Sequence, residues 1–325
     1  MLAVIAVEGE VVVAADATAA AAATEVTASP SSAGLPAKSA GNRLSPAVRR
    51  LLSKHDLDVS AITGSGRDGR VTRQDVENHI ESASGAASDA GVTRVPFDRV
   101  RKATAEHMVR SKATSPHVLQ TIDVDFSAVD KVRLSRKDAW RAEHDYSLSY
   151  LPFVARALCH AIAEWPRVNG SVDGDALVVH SDVNLAIAID LNFEGLVAPV
   201  VRNAAGLKVS ELAMQFNVLA VKAKAGTLNV DDLQGGTYTL SNPGPFGTLF
   251  TAPIINQPQV GILSMDAVKK RPVVVEAESG DSIEIRPVGI LAHSFDHRAI
   301  DGAYSAAFLN KLKRIIEESD WEQEM

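Results

Sequence analysis

The segment LAHSFDHRAIDGAYSAAFLNKL carries an alternating apolar run to a histidine, His297, with Asp301 and Gly302 following at the mouth of a helix. Imidazole is the side chain that gains and loses a proton near neutral pH, and a strand that ends on one delivers it to a loop, where it can face a cleft. The two-residue period of a strand puts residues 291, 293, 295 and 297 of ILAHSFDH on one face. The position marks His297 as a candidate for chemistry. A metal centre built from His293, His297 and Asp301 is a poor rival: four strand residues span about 13 Å, too far for two histidines that must each lie about 2 Å from one zinc. A serine-hydrolase triad fits no better, because the chain has no G-x-S-x-G elbow and Ser294 points to the face opposite His297.

These side chains need a framework. FDRVRKATAEHMVRSK and LSYLPFVARALCHAIAEW have helical periodicity, the second with Leu151, Val154, Ala155, Leu158 and Ile162 on one stripe, and VSELAMQFNVLAVKAKAG is a third helix, ended by Gly226. VNLAIAIDL, GGTYTLSN, QVGILSMDAV and IEIRPVGILAHSF alternate as strands. The helix that begins near Asp301 has Ala303, Ala306, Ala307, Phe308, Leu312 and Ile315 available for packing. The expected fold is α/β, a mixed sheet covered on one face by helices, running from about residue 94 to 325.

At 325 residues the chain has room for one large domain and something small. Its composition, 46% hydrophobic and 22% charged, is that of a soluble protein, and its formal charge of -7 argues against nucleic acid as the main partner. The single cysteine, Cys159, lies in an apolar run, so neither a disulfide framework nor a thiolate metal cluster is expected, and a reducing, cytoplasmic setting follows. The opening MLAVIAV is cut short by Glu8 and Glu10, so no export signal and no membrane partner are expected.

Residues 11–42 are Ala, Thr, Ser and Pro with almost nothing large to bury, and read as a flexible tether; 81–93 reads as a second one. Between them, 43–80 reads as a miniature all-α domain. Pro46 opens one helix after Ser45, Thr72 and Asp75 form a capping box on another, and Gly64, Gly66 and Gly69 allow the tight path between. Seven basic residues, Arg43, Arg49, Arg50, Lys54, Arg67, Arg70 and Arg73, face five acidic ones, so this segment is positive within a negative protein and suited to an acidic partner surface.

SFDHRAIDGA resembles the DHRxxDG signature of the dihydrolipoyl acyltransferase (E2) family of 2-oxo acid dehydrogenase complexes, whose catalytic domain shares its fold with chloramphenicol acetyltransferase. RKATAEHMVRSKATSPHV resembles that family's first helix, LPFVARALCHAIAEWPRVNGSV its long helix, LVAPVVRNA its central strand and GGTYTLSNPGPFGTLFTAPIINQPQVGIL its oxyanion segment. Residues 43–80 resemble its peripheral subunit-binding domain, and 1–10 resemble only the last strand of its lipoyl domain.

The resemblance implies transfer of an acyl group from a dihydrolipoyl thioester to coenzyme A, with no metal. His297 would be the base, Ser241 the oxyanion donor, and Asp301 a loop-holding partner of Arg101. It implies docking of a decarboxylase (E1) or dihydrolipoyl dehydrogenase (E3) through Arg49 and Arg70, although Ser53 stands where relatives often place another arginine. It also implies a homotrimer with sites between chains, within a larger core, and a lipoyl group supplied by a missing or separate lipoyl domain. Two other readings stand beside the enzyme: a docking subunit without turnover, which needs neither His297 nor Ser241, and a small-molecule acetyltransferase of the same fold, which needs no tethered docking module.

Overall fold

The structure is a computed structural model that describes residues 44–325 apart from 56, 67–68, 86–91, 277 and 279. The strand expected at 1–10, the tether at 11–42 and residues 86–91 of the second tether lie outside the described residues. The chain divides into two compact units, between Arg94 and Val95.

The small unit is built on α1 (Pro46–His55) and α2 (Arg73–Gly85). Val48, Leu52, Ile62, Val71 and Val76 form its core. The Ser45 hydroxyl accepts the Val48 N–H at 3.3 Å, and Thr72 and Asp75 exchange the two bonds of a capping box. Asp75 also takes the Ser65 N–H at 2.9 Å and the Ser65 hydroxyl, which ties the glycine loop to the start of α2. Those Ser65 and Thr72 hydrogen bonds hold its carboxyl well below the usual range. A Cβ at Gly64 would meet the Gly69 carbonyl oxygen at 2.5 Å, so only glycine fits that crossing. Helix α2 runs five residues beyond 80, into the expected tether, because Glu81, Ser82 and Ala83 contain no helix breaker before Gly85.

The large unit opens with α3 (Arg99–Thr114), β1 (His117–Asp125), α4 (Ser127–His144) and α5 (Leu151–Glu164). Seven short strands or strand pieces and two helices follow: β2 (Gly170–Asp173), β3 (Ala176–Val179), β4 (Leu185–Ile187), β5 (Ile189–Asp190), β6 (Leu196–Val197), β7 (Val200–Val201), α6 (Val209–Ala225), α7 (Val230–Leu233) and β8 (Tyr238–Ser241). It closes with β9 (Gly261–Met265), β10 (Lys269–Val275), β11 (Ser282–Asp296) and α8 (Gly302–Glu318). The main sheet runs β1-β11-β9-β8-β4-β7, with β10 also on β11. It is mixed: β8 is parallel to β4 and β9, and the other pairings are antiparallel.

The sheet takes its cover from the helices. Helix α5 buries Leu151, Val154, Ala155, Leu158 and Ile162, the stripe expected from its period, and α8 buries Phe308, Leu309, Leu312 and Ile316. Leu158 is wholly buried, and its truncation to alanine would cost about 2–5 kcal/mol. Cys159 lies in the same core, where burial pushes its thiol up to about 12 and leaves it unreactive. One expectation is corrected, and one helix had not been expected. LVAPVVRNA is not a central strand: Pro199 splits it into β6 and β7, and β7 ends the sheet, the place where a proline's missing N–H does least harm. The long helix α4 lacked a visible stripe because only Val129, Val132 and Trp140 are buried on it.

Candidate active site

On β11 the rings of His293, Phe295 and His297 follow one another along one face, with centroids 5.5 and 5.9 Å apart. That face looks at α8. His293 is fully buried against Phe308, and its Nδ1 lies 2.9 Å from the Ser305 hydroxyl. Burial lowers its pKa to about 3, so the ring is neutral. Four residues on, past the last strand residue Asp296, the ladder reaches solvent: the His297 side chain is 46% exposed. It lines a cleft with Trp165, Arg167, Arg298 and Tyr304. Tyr304 forms the wall, its hydroxyl accepting the Arg167 N–H at 3.1 Å and its ring meeting Trp165 edge-on at 5.0 Å.

His297 is held through its backbone. Its N–H donates to the Pro116 carbonyl at 3.0 Å. The preceding Asp296 is 1% exposed and takes the Arg298 backbone N–H at 2.9 Å and the Arg298 guanidinium at 2.6 Å. Burial alone would raise the Asp296 carboxyl, but the hydrogen bonds from Arg298 and from the Ser115 hydroxyl hold it below the usual range. Neither Asp296 nor Arg298 was singled out from sequence, although both flank the histidine in SFDHR.

Asp301 does not pair with Arg101 within the chain. Its side chain is 86% exposed, and its one ion-pair neighbour among the described residues is His297, with Oδ1 3.9 Å from Nδ1, beyond hydrogen-bond range. Arg101 is exposed on the first turn of α3, where its backbone N–H is capped by Asp98 at 2.6 Å. Gly302 is held from the other side, its carbonyl accepting the Gln120 amide at 3.1 Å.

Ser241 ends β8, in register with Ser264 of β9, which is itself in register with Ala292 of β11. Its hydroxyl is partly buried and makes no hydrogen bond among the described residues. It is therefore free for a ligand. The segment after it is anchored by a buried carboxylate: Asp266 takes the Thr251 N–H at 3.1 Å, the Thr251 hydroxyl at 2.9 Å and the Ser264 hydroxyl at 3.0 Å. Gly244 approaches Asp266 so closely that a Cβ would lie 2.9 Å from its carbonyl oxygen.

Ser241 and His297 are not brought together in one chain. Counting the register, His297 lies five residues beyond the level of Ser241 and two strands away, so their Cα atoms are about 19 Å apart at about 3.3 Å per residue and 4.8 Å per strand. In the segment that follows Ser241, Phe246, Leu249 and Phe250 are exposed, and Phe246 packs on Phe193, 79% exposed, at 5.9 Å. On the small unit, Arg49 and Arg70 are both exposed, and Arg43 and Arg67 lie outside the described residues. Among the described residues no acidic, histidine or cysteine cluster could hold a metal ion, and no helix is long and apolar enough to cross a membrane.

The catalytic-domain model of the 2-oxoacid dehydrogenases acyltransferase family matches residues 89–323, and the E3 binding domain model matches residues 42–77. The chain is 38% identical over 289 residues to the dihydrolipoyllysine-residue succinyltransferase component of the Escherichia coli 2-oxoglutarate dehydrogenase complex, covering 85% of this chain and 70% of that protein. It is 34% identical over 320 residues to the lipoamide acyltransferase component of the Bacillus subtilis branched-chain alpha-keto acid dehydrogenase complex, covering 87% and 74%. Among solved structures, the Azotobacter vinelandii dihydrolipoamide acetyltransferase superposes with a TM-score of 0.67 at 30% identity, over 72% of this chain and 94% of that one. The roles of a serine, a histidine and an asparagine in its catalytic mechanism were investigated in that structure.

Proposed function

We propose, for a chain that belongs to the 2-oxoacid dehydrogenase acyltransferase family and carries an E3-binding domain, that His297 is the general base and Ser241 the oxyanion donor of acyl transfer to coenzyme A. The chain is an acyltransferase (E2) component of a 2-oxo acid dehydrogenase complex. The observation that carries the residue assignment is the pair of free groups described above: a half-exposed imidazole at a cleft and an unbonded hydroxyl at the far end of the same sheet. In the Azotobacter enzyme the histidine and asparagine investigated are four positions apart, the spacing of His297 and Asp301 here.

The imidazole of His297 takes the proton of the coenzyme A thiol as its sulfur attacks the thioester carbonyl of an acyl-dihydrolipoyl group. The oxyanion so formed accepts a hydrogen bond from the Ser241 hydroxyl. As the intermediate collapses, the bond to the dihydrolipoyl sulfur breaks, and the proton on His297 passes to that sulfur, leaving acyl-coenzyme A and dihydrolipoyl thiol. A base in this role contributes about 10²–10⁴ in rate, and an oxyanion donor about 10²–10³.

Both groups must lie within about 3 Å of the reacting centre, which their separation in one chain forbids. The site is therefore completed by a second copy, which presents its Ser241 to this chain's His297, and a cyclic trimer closes such head-to-tail contacts. The exposed apolar side chains of the segment after Ser241, Phe246, Leu249 and Phe250, suit that contact. Arg49 and Arg70 of the small unit are the residues proposed to grip an acidic surface of the dihydrolipoyl dehydrogenase.

The test is coenzyme A acylation with acetyl-, succinyl- and isobutyryl-dihydrolipoamide, which also identifies the acyl group. His297→Ala should remove nearly all transfer, and retention of more than about a tenth of kcat defeats its role as base.

A further inference from the structure

Between α3 and β1 the chain turns through Ser115, Pro116 and His117, and this turn is bonded on two sides. Toward β11, the Pro116 carbonyl accepts the His297 N–H at 3.0 Å, and His117 is in register with Asp296. Toward the stretch that follows Thr251, the Ser111 hydroxyl donates to the Ile255 carbonyl at 2.6 Å, the Gln257 amide donates to the Ser115 hydroxyl at 2.6 Å, and the Ile255 N–H points at His117 Nε2, 3.0 Å away. Ser111, Ser115 and Asp296 are each at most 3% exposed.

The hydrogen-bond roles in this network leave one solution. A backbone N–H can only donate, so Nε2 of His117 must be the bare nitrogen that accepts from Ile255. Its Nδ1 then carries the hydrogen and donates to the Ser115 carbonyl at 2.8 Å. The Ser115 hydroxyl accepts from the Gln257 amide. Every bond has a donor and an acceptor, the condition under which a buried polar network rigidifies what it holds. What it holds is the backbone from which His297 projects. The exposed Asp301 cannot do this.

We propose that His117 is a positioning residue for acyl transfer: its neutral ring pins the Ser115–His117 turn to Ile255 and so fixes the direction in which His297 leaves the end of β11. The proposal rests on the function assigned above. Misplacing a catalytic group by about 1 Å can cost on the order of 10²-fold in rate, so the effect of losing the pin should fall on kcat.

Two substitutions in the full chain separate the ring's two bonds. His117→Asn keeps a donor near Nδ1 and loses the acceptor for Ile255; His117→Gln places an amide oxygen where Nε2 accepted. The asparagine variant should lose about 10- to 100-fold in kcat with KM for coenzyme A and acyl-dihydrolipoamide within about twofold, and the glutamine variant should recover most of kcat at an equal melting temperature. Equal kcat in the two variants overturns the proposal, because a packing role alone would not tell them apart. If neither folds, Ser115→Ala decides: a fall in kcat at constant KM supports it, and wild-type kcat overturns it. A wild-type chain that acylates no coenzyme A refutes the parent function instead, and that result is read before any variant.

Discussion

Mixing two inactive chains should restore activity. Ser241→Ala removes the oxyanion donor and His297→Ala the base, so a protein made of either variant alone has no intact site. Within one chain the two positions are about 19 Å apart along and across the sheet, whereas both side chains must meet one tetrahedral centre at about 3 Å, so no rotamer change brings them together. If each site takes His297 from one chain and Ser241 from the next around a closed ring, random co-assembly at equal amounts pairs an intact histidine with an intact serine in about one quarter of sites. The two variants are co-expressed with different tags, doubly purified to select mixed oligomers, and assayed for coenzyme A acylation. Each mixed trimer then holds one intact site in three, so recovery near a third of wild-type kcat is expected after this selection, against at most a hundredth or so for each variant alone. Mixed oligomers no more active than their parents, or a wild-type monomer with full kcat in sedimentation, would refute the shared site.

The buried His293 makes stability fall in mild acid. Its folded pKa of about 3 lies below the unfolded value of about 6.5, so the unfolded chain binds the extra proton first; no stability is lost above about pH 7.5, and about 2 kcal/mol is gone by pH 5. That corresponds to roughly 4–8 °C in Tm, and calorimetry at pH 8 and pH 5 should show His293→Leu losing that much less than wild type; equal losses contradict the linkage. Asp301→Asn should leave Tm within about 3 °C, because the side chain is 86% exposed and bound to no arginine among the described residues. A drop of about 6 °C or more would instead indicate the buried ion pair that this chain by itself does not form.

His297 was legible because it ends an alternating run, and period two alone places it on the face of Leu291, His293 and Phe295. The helix stripe of α5, the capping box of Thr72 and Asp75 and the glycine crossing at Gly64 were legible for the same reason: each depends on residues a few positions apart. Helix α4 and the split of LVAPVVRNA were not, since burying three side chains of an otherwise charged helix, or ending a sheet at a proline, depends on which element lies alongside. The partners of the site residues were beyond the sequence altogether. Ser115, His117 and Gln257 become neighbours of His297 only when a turn before β1 meets both the end of β11 and a segment some 140 residues later, and Arg101 and Asp301, plausible as an ion pair, stay apart in the folded chain. Local periodicity determines which face a side chain occupies, because strand and helix geometry repeat every few residues. Which group it meets across space is decided by strand register and chain crossings, set by the packing of the whole core and written in no short stretch of the chain.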